Sequence, residues 1–181
     1  MKLNNEEIDL FSRTGTSVSH CPCSNMRLGS GIFPLNKMLD KGVNVGLGVD
    51  GSASNDSGNL LNEARQALYL QRVNETNNFY LNARNVLWFA TAGGAIALNR
   101  DDIGSIKVGN CADFAIYDST SLELAGSVED PIGGLIFCGP LKTRWTICNG
   151  QIISENNNIK NISIEDTINQ HNSLSRKLIN S

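Results

Sequence analysis

Two residues able to do acid–base or metal chemistry each close a short apolar run and open a polar loop. His20 ends Thr16-Ser-Val-Ser-His20, and Cys-Pro-Cys-Ser-Asn-Met-Arg27 follows it. Asp50 ends Gly42-Val-Asn-Val-Gly-Leu-Gly-Val-Asp50, and Gly-Ser-Ala-Ser-Asn-Asp56 follows it. A carboxylate in such a place can bind a divalent cation, take a proton from water, or cap a turn or helix. An imidazole can ligate, orient a nucleophile, or serve as a satisfied structural side chain. Taken singly, each residue suits the structural reading. Together they read as the ends of neighbouring parallel strands, delivered to the C-terminal sheet edge where α/β barrels carry their chemistry.

The elements that must position this pair alternate as helix and strand, the repeat of a parallel α/β fold. Residues 3–13 predict a helix capped by Asn4 or Asn5 and ended by Thr14-Gly15, with the strand to His20 directly after it. Residues 21–33, rich in Ser, Asn and Gly, read as loop. Pro34 opens a helix to about Lys41, Gly42 stops it, and strand 43–49 follows. Over 59–73, Leu60, Leu61, Ala64, Leu68 and Val73 recur at helical spacing, with Glu63, Arg65, Gln66 and Arg72 on other faces. Ser52, Ser54, Asn55 and Asp56 read as caps of that helix and shapers of the Asp50 turn. Residues 82–99 predict one more helix, in which Gly93-Gly94 implies close packing or a kink.

From Gly104 the texture becomes all-β. Residues 105–118 read as strand, turn and strand, and 134–138 and 144–153 as further strands with a tight turn at Asn149-Gly150. Residues 155–161 read as a polar linker, and 163–179 as a terminal helix capped by Ser163, with His171 on its surface. The organisation expected is therefore 1–103 in the α/β part, 104–154 in a β module, and 155–181 as linker and helix.

Composition narrows the function. The 181 residues are 40% hydrophobic, enough for a packed core, with a formal charge of -3 and no basic stripe, so nucleic-acid binding has no electrostatic support. No apolar run approaches a membrane span and no signal-peptide core is evident, so the expectation is a cytoplasmic protein without a membrane partner. Five irregularly spaced cysteines argue for free thiols, and Cys21-Pro-Cys23 is tighter than the spacing of structural zinc pairs. An unrelated small α/β binding domain with Gly46-Leu-Gly48 as a nucleotide loop is a weak competing reading, because these glycines lie inside a strand rather than opening a helix.

These residues resemble the C-terminal portion of the amidohydrolase superfamily, in its deaminase and chlorohydrolase branch with 8-oxoguanine deaminase and hydroxyatrazine aminohydrolase. The resemblance is carried by Val18-Ser-His20-Cys-Pro, Ser24-Asn-Met-Arg-Leu-Gly-Ser-Gly31, Val45-Gly-Leu-Gly-Val-Asp50-Gly-Ser-Ala-Ser-Asn-Asp56, Glu63-Ala-Arg-Gln-Ala, and Gly104-Ser-Ile-Lys-Val-Gly-Asn-Cys-Ala-Asp113. It implies an α/β fold: the C-terminal part of a (β/α)8 TIM-type barrel, half of a small β-sandwich, and a terminal helix. It further implies one divalent metal, zinc or iron, with Asp50 as metal ligand and proton carrier. His20 would be the catalytic histidine at the end of the sixth strand, and Asp50 would end the eighth. Asn25 and Arg27 either face substrate or hold their loop together. The implied reaction is hydrolytic deamination of a small N-heterocycle, 8-oxoguanine first, with an s-triazine or guanine as alternatives. Full-length relatives of this kind commonly form homo-oligomers.

The family's metal site also needs an H-x-H pair and a further histidine, and its proton relay needs a glutamate near the fifth strand. Only His20 and His171 are present, and the chain offers roughly three strands of a barrel that typically takes about 250 residues. The expectation is a fragment that is inactive alone, with a non-catalytic truncated paralogue as the competing reading.

Overall fold

A computed structural model describes residues 3–74 and 81–180 of the chain. Helix α1 (Asn5–Thr14) starts by reciprocal capping. Asn4 Oδ1 accepts from the Glu7 N–H at 2.9 Å, and the Glu7 carboxylate accepts from the Asn4 N–H at 2.8 Å. Gly15 ends the helix in the left-handed region, at φ 65°. Strands β1 (Val18–His20) and β2 (Val45–Leu47) then pair in parallel, with Val18 opposite Val45, Ser19 opposite Gly46 and His20 opposite Leu47.

Two helices connect them. α3 (Leu35–Asp40) is the expected helix, with Pro34 at its cap. α2 (Pro22–Arg27) replaces the expected loop. Pro22 suits the first helical turn, where its missing N–H would have no partner anyway. Helix α4 (Leu60–Asn74) follows β2 as expected. The helix expected over 82–99 divides into α5 (Ala83–Ala90) and α6 (Ala92–Ala97), broken at Thr91 (φ -125°, ψ -91°). Both readings of Gly93-Gly94 hold, since the break comes just before them and they lie against β2. A Cβ on Gly93 would stand 2.6 Å from the Val45 carbonyl oxygen, and one on Gly46 would stand 3.0 Å from Gly94 Cα.

Residues 134–138 are not a strand. They belong mostly to helix α7 (Pro131–Phe137), which packs on α4 and α5. Pro131 sits in its first turn, and Asp130 caps it by accepting from the Gly133 N–H at 3.2 Å. A short apolar run is equally a buried strand or a buried helix, and here the cap decides. One core unites these elements. Phe33, Leu35, Met38, Val45, Leu68, Val86 and Ile136 are all fully buried in it.

The chain divides into two compact units, Met1–Asn110 with Ser119–Pro140, and Cys111–Asp118 with Leu141–Ser181. The second holds a four-stranded antiparallel sheet, β3 (Phe114–Ile116), β4 (Trp145–Cys148), β5 (Gln151–Glu155) and β6 (Asn158–Ile159), in that order. Asn149 and Gly150 (φ 48° and 75°) make the expected β4–β5 turn. Asn156 and Asn157 (φ 48° and 67°) repeat it, so the expected linker is a second hairpin. No strand forms over 105–108; the sheet starts at Phe114. Helix α8 (Ile164–Ile179) has the expected Ser163 cap. Among the described residues no helix is long and apolar enough to cross a membrane.

Candidate functional site

Asp50 lies three residues past the end of β2, in the left-handed region at φ 62°, a conformation that Asp tolerates better than most residues. Its carboxylate is exposed yet held on both oxygens. Oδ2 accepts from Ser24 Oγ at 2.6 Å and Ser54 Oγ at 3.0 Å, and Oδ1 accepts from the Gly51 N–H at 2.7 Å. These donors, Ser24 first, then Gly51 and Ser54, hold the carboxyl below the usual carboxylate range. The result is an accessible, firmly oriented anion at the sheet's C-terminal edge.

His20 is placed differently. It is 2% exposed, stacks on Phe33 with ring centroids 4.7 Å apart, and neither ring nitrogen has a hydrogen-bond partner. Burial pushes its pKa down to about 4, so the imidazole is neutral at physiological pH. The structure thus brings His20 and Asp50 to the ends of adjacent strands but not into hydrogen-bond contact. The adjacency also corrects the strand count. β1 and β2 are direct hydrogen-bonded neighbours, so no strand stands between them as a sixth-and-eighth assignment requires, and these two are the parallel strands among the described residues.

The two loops are tied together. Arg27 forms an ion pair with Asp56, which spans from the end of α2 to the loop after Asp50. Asn25 lies half-buried in α2, its N–H donating to the Cys21 carbonyl at 3.0 Å and its carbonyl accepting from the Ser30 N–H at 2.9 Å. Asn59, rather than the serines, caps α4, accepting from the Asn62 N–H at 3.1 Å. The Cys23 thiol accepts from Asn62 Nδ2 at 3.2 Å, and burial pushes its pKa up to about 12, which keeps it protonated.

Two residues that support the site, Ser24 and Glu63, open stretches that carry the resemblance but had no site role read from the sequence. Ser24 is buried and donates directly to Asp50. Glu63, expected on an outer face of α4, is 0% exposed. Its Oε2 accepts from the Cys23 N–H at 2.9 Å and its Oε1 from Asn55 Nδ2 at 2.6 Å. The signal for Glu63 was its place in the first turn of α4, close in sequence to the Asp50 loop.

As a metal site, the arrangement is partial. Asp50 is an oxygen donor of the right kind, but no group of three His, Cys, Asp or Glu able to hold a metal exists among the described residues. A catalytic zinc takes three protein ligands and an open position. The described residues alone therefore do not fit a catalytic zinc.

The model of the amidohydrolase family matches residues 1–165. Over 135 residues the chain is 46% identical to an 8-oxoguanine deaminase of Pseudomonas aeruginosa, covering 75% of this chain and 30% of that enzyme. It is 36% identical to a 5'-deoxyadenosine deaminase of Methanosarcina acetivorans over 98% of this chain and 41% of that one. Among solved structures it is similar to a zinc complex of atrazine chlorohydrolase from Arthrobacter aurescens, with a TM-score of 0.89, 34% identity, and coverage of 96% of this chain and 39% of that one. It is also similar to a zinc-bound adenosine deaminase from Xanthomonas campestris, with a TM-score of 0.93, 29% identity, and coverage of 99% and 41%. The chain thus spans between 30% and 41% of the length of these relatives.

Proposed function

The chain belongs to the amidohydrolase family, and from that membership we propose that it forms the C-terminal part of a metal-dependent aminohydrolase barrel. In this reading β1 and β2 are consecutive barrel strands, and Asp50 is both a metal ligand and the proton carrier of a hydrolytic deamination. The carrying observation is the Asp50 carboxylate itself, exposed, kept ionised and aimed by Ser24, Ser54 and Gly51.

In a complete enzyme Asp50 would be one of several ligands of a divalent metal, zinc in the two structural neighbours, and that metal would supply a water with its pKa lowered to about 7. What this chain contributes is proton handling. Asp50 accepts a proton as water oxygen bonds to the ring carbon, then returns it to the departing nitrogen, so that the C–N bond breaks with release of ammonia. With the sixth-strand assignment withdrawn, contact of His20 with the reacting water or the tetrahedral adduct is proposed only from its place at the end of β1, next to the strand that delivers Asp50, and from its neutral ring with two unpartnered nitrogens. At 2% exposure the ring is sealed from solvent among the described residues. The other metal donors are not supplied by the described residues, so the 181-residue chain by itself is expected to hold no stoichiometric metal and release no ammonia.

The substrate proposed is 8-oxoguanine, on the strength of the 46% identical relative. A second reading, an s-triazine, rests on the likeness to the atrazine chlorohydrolase. Either way the partners are a small N-heterocycle and water.

A chimera tests this. Residues 1–165 would replace the corresponding segment of the Pseudomonas aeruginosa deaminase. The expected result is zinc-dependent ammonia release from 8-oxoguanine, falling by at least about 100-fold in Asp50→Asn. Release from an s-triazine or 5'-deoxyadenosine instead reassigns the substrate. A folded, zinc-loaded chimera that deaminates equally well with Asp50→Asn overturns the role given to Asp50.

A further inference from the structure

Glu63 stands at the junction of two hydrogen-bonded paths that both end at Asp50. On one side Glu63 Oε2 accepts from the Cys23 N–H at 2.9 Å, and the next residue, Ser24, donates from Oγ to Asp50 Oδ2 at 2.6 Å. On the other side Glu63 Oε1 accepts from Asn55 Nδ2 at 2.6 Å, and the same Nδ2 group donates to the Val49 carbonyl at 2.7 Å, one residue before Asp50. Covalent steps from Cys23 to Ser24 and from Val49 to Asp50 close these bonds into a ring.

We infer that Glu63 is a positioning residue that sets the direction of the Asp50 carboxylate by anchoring both loops around it to α4. Its significance for catalysis rests on the assignment of Asp50 above; the geometry does not.

The residue type fits the task. A carboxylate offers acceptors on both oxygens, and here each faces a donor, the Cys23 N–H and the Asn55 amide. Glutamine, similar in shape, would turn one acceptor into an NH2 group pointing at a donor. A completely buried carboxylate is costly unless its oxygens are bonded, and both are. A helix merely seeking an apolar contact at this position would gain more from leucine. Asn55, itself buried, serves one purpose in the ring, which is to relay the Glu63 anchor to the Val49 carbonyl.

The experiment is amide hydrogen exchange by NMR on the 181-residue chain, comparing wild type with Glu63→Gln. The reporter is Gly51, whose N–H donates to Asp50 Oδ1 and not to Glu63. The reference is Gly48, whose N–H donates to the His20 carbonyl at 3.0 Å beside the strand pair. Loss of a bonded buried partner is expected to speed Gly51 exchange by about tenfold or more, with Gly48 changing less than about twofold. Equal acceleration at both amides would mean that Glu63 supports the scaffold as a whole, and unchanged exchange at Gly51 would mean that Asp50 is held without it. Either result overturns the inference. If Glu63→Gln does not fold, Asn55→Ala cuts the ring on its other side, with the same readout and the same two overturning results. Failure of the chimera to deaminate, with Gly51 released selectively, would count against the aminohydrolase reading and leave the positioning role of Glu63 standing.

Discussion

Ser24 and Asp50, 26 residues apart in the chain, meet at 2.6 Å, the Ser24 hydroxyl donating to Asp50 Oδ2. This bond joins the helix after β1 to the loop after β2, and it leads the donors that hold the Asp50 carboxyl down. Ser24→Ala should therefore raise the Asp50 pKa toward the ordinary carboxylate range, read by carboxyl-carbon NMR titration. A value unchanged by the substitution would assign the orientation of Asp50 to Gly51 and Ser54 alone.

His20 makes stability depend on pH. Its folded pKa, about 4, lies below its ordinary value of 6.5, so the unfolded chain binds the proton more readily. Stability should be complete above about pH 6.5 and fall as the pH drops toward 4, by on the order of 3 kcal/mol in all. Urea midpoints at pH 7 and pH 4.5 measure the slope. His20→Phe, which keeps an aromatic ring on Phe33, should flatten it in this window; an equally steep fall would place the acid sensitivity elsewhere.

Gly93→Ala should destabilise the first unit by about 1–3 kcal/mol, despite the better helix propensity of alanine. The new methyl would stand 2.6 Å from the Val45 carbonyl oxygen and 3.0 Å from the Trp88 ring. Denaturant unfolding followed by tryptophan fluorescence reads it. A neutral or stabilising result would show that α6 can move off β2 at little cost.

Arg27 and Asp56 should be coupled by no more than about 1 kcal/mol, because both side chains are half-exposed or more and salt screens such pairs. A double-mutant cycle of Arg27→Ala and Asp56→Ala measures this. In the active chimera, Arg27→Ala would then change KM little if Arg27 serves loop closure, and raise it clearly if Arg27 touches substrate.

Much of this fold was legible because its signals are local. Asn4 with Glu7, the apolar spacing of α4, Gly42 before β2, and Asn149-Gly150 each state their structure within a few residues. The misreadings share another cause. Pro22–Arg27 has the composition of a loop but closes a helical turn beneath Asp50, and residues 134–138 read as a strand until the Asp130 cap of the helix Pro131–Phe137 is weighed. Glu63 was unreadable as a buried residue, since its burial depends on Cys23 and Asn55 arriving from two other segments. The strand-end position of Asp50 was plain from its apolar run, whereas the serine that fixes its direction is contributed by a segment that composition assigns to loop.

The glycine contact between β2 and α6 has a consequence for how this protein can change. Where Gly46 meets Gly93 and Gly94, backbone lies almost directly on backbone, and there is no side chain left to trim in compensation for a larger neighbour. The spacing there behaves as a fixed datum, and Asp50, four residues beyond Gly46, takes its height from it. Divergence that alters what the site accepts is therefore channelled into the loops above that datum, where residues can be exchanged without shifting the level from which the carboxylate reaches out.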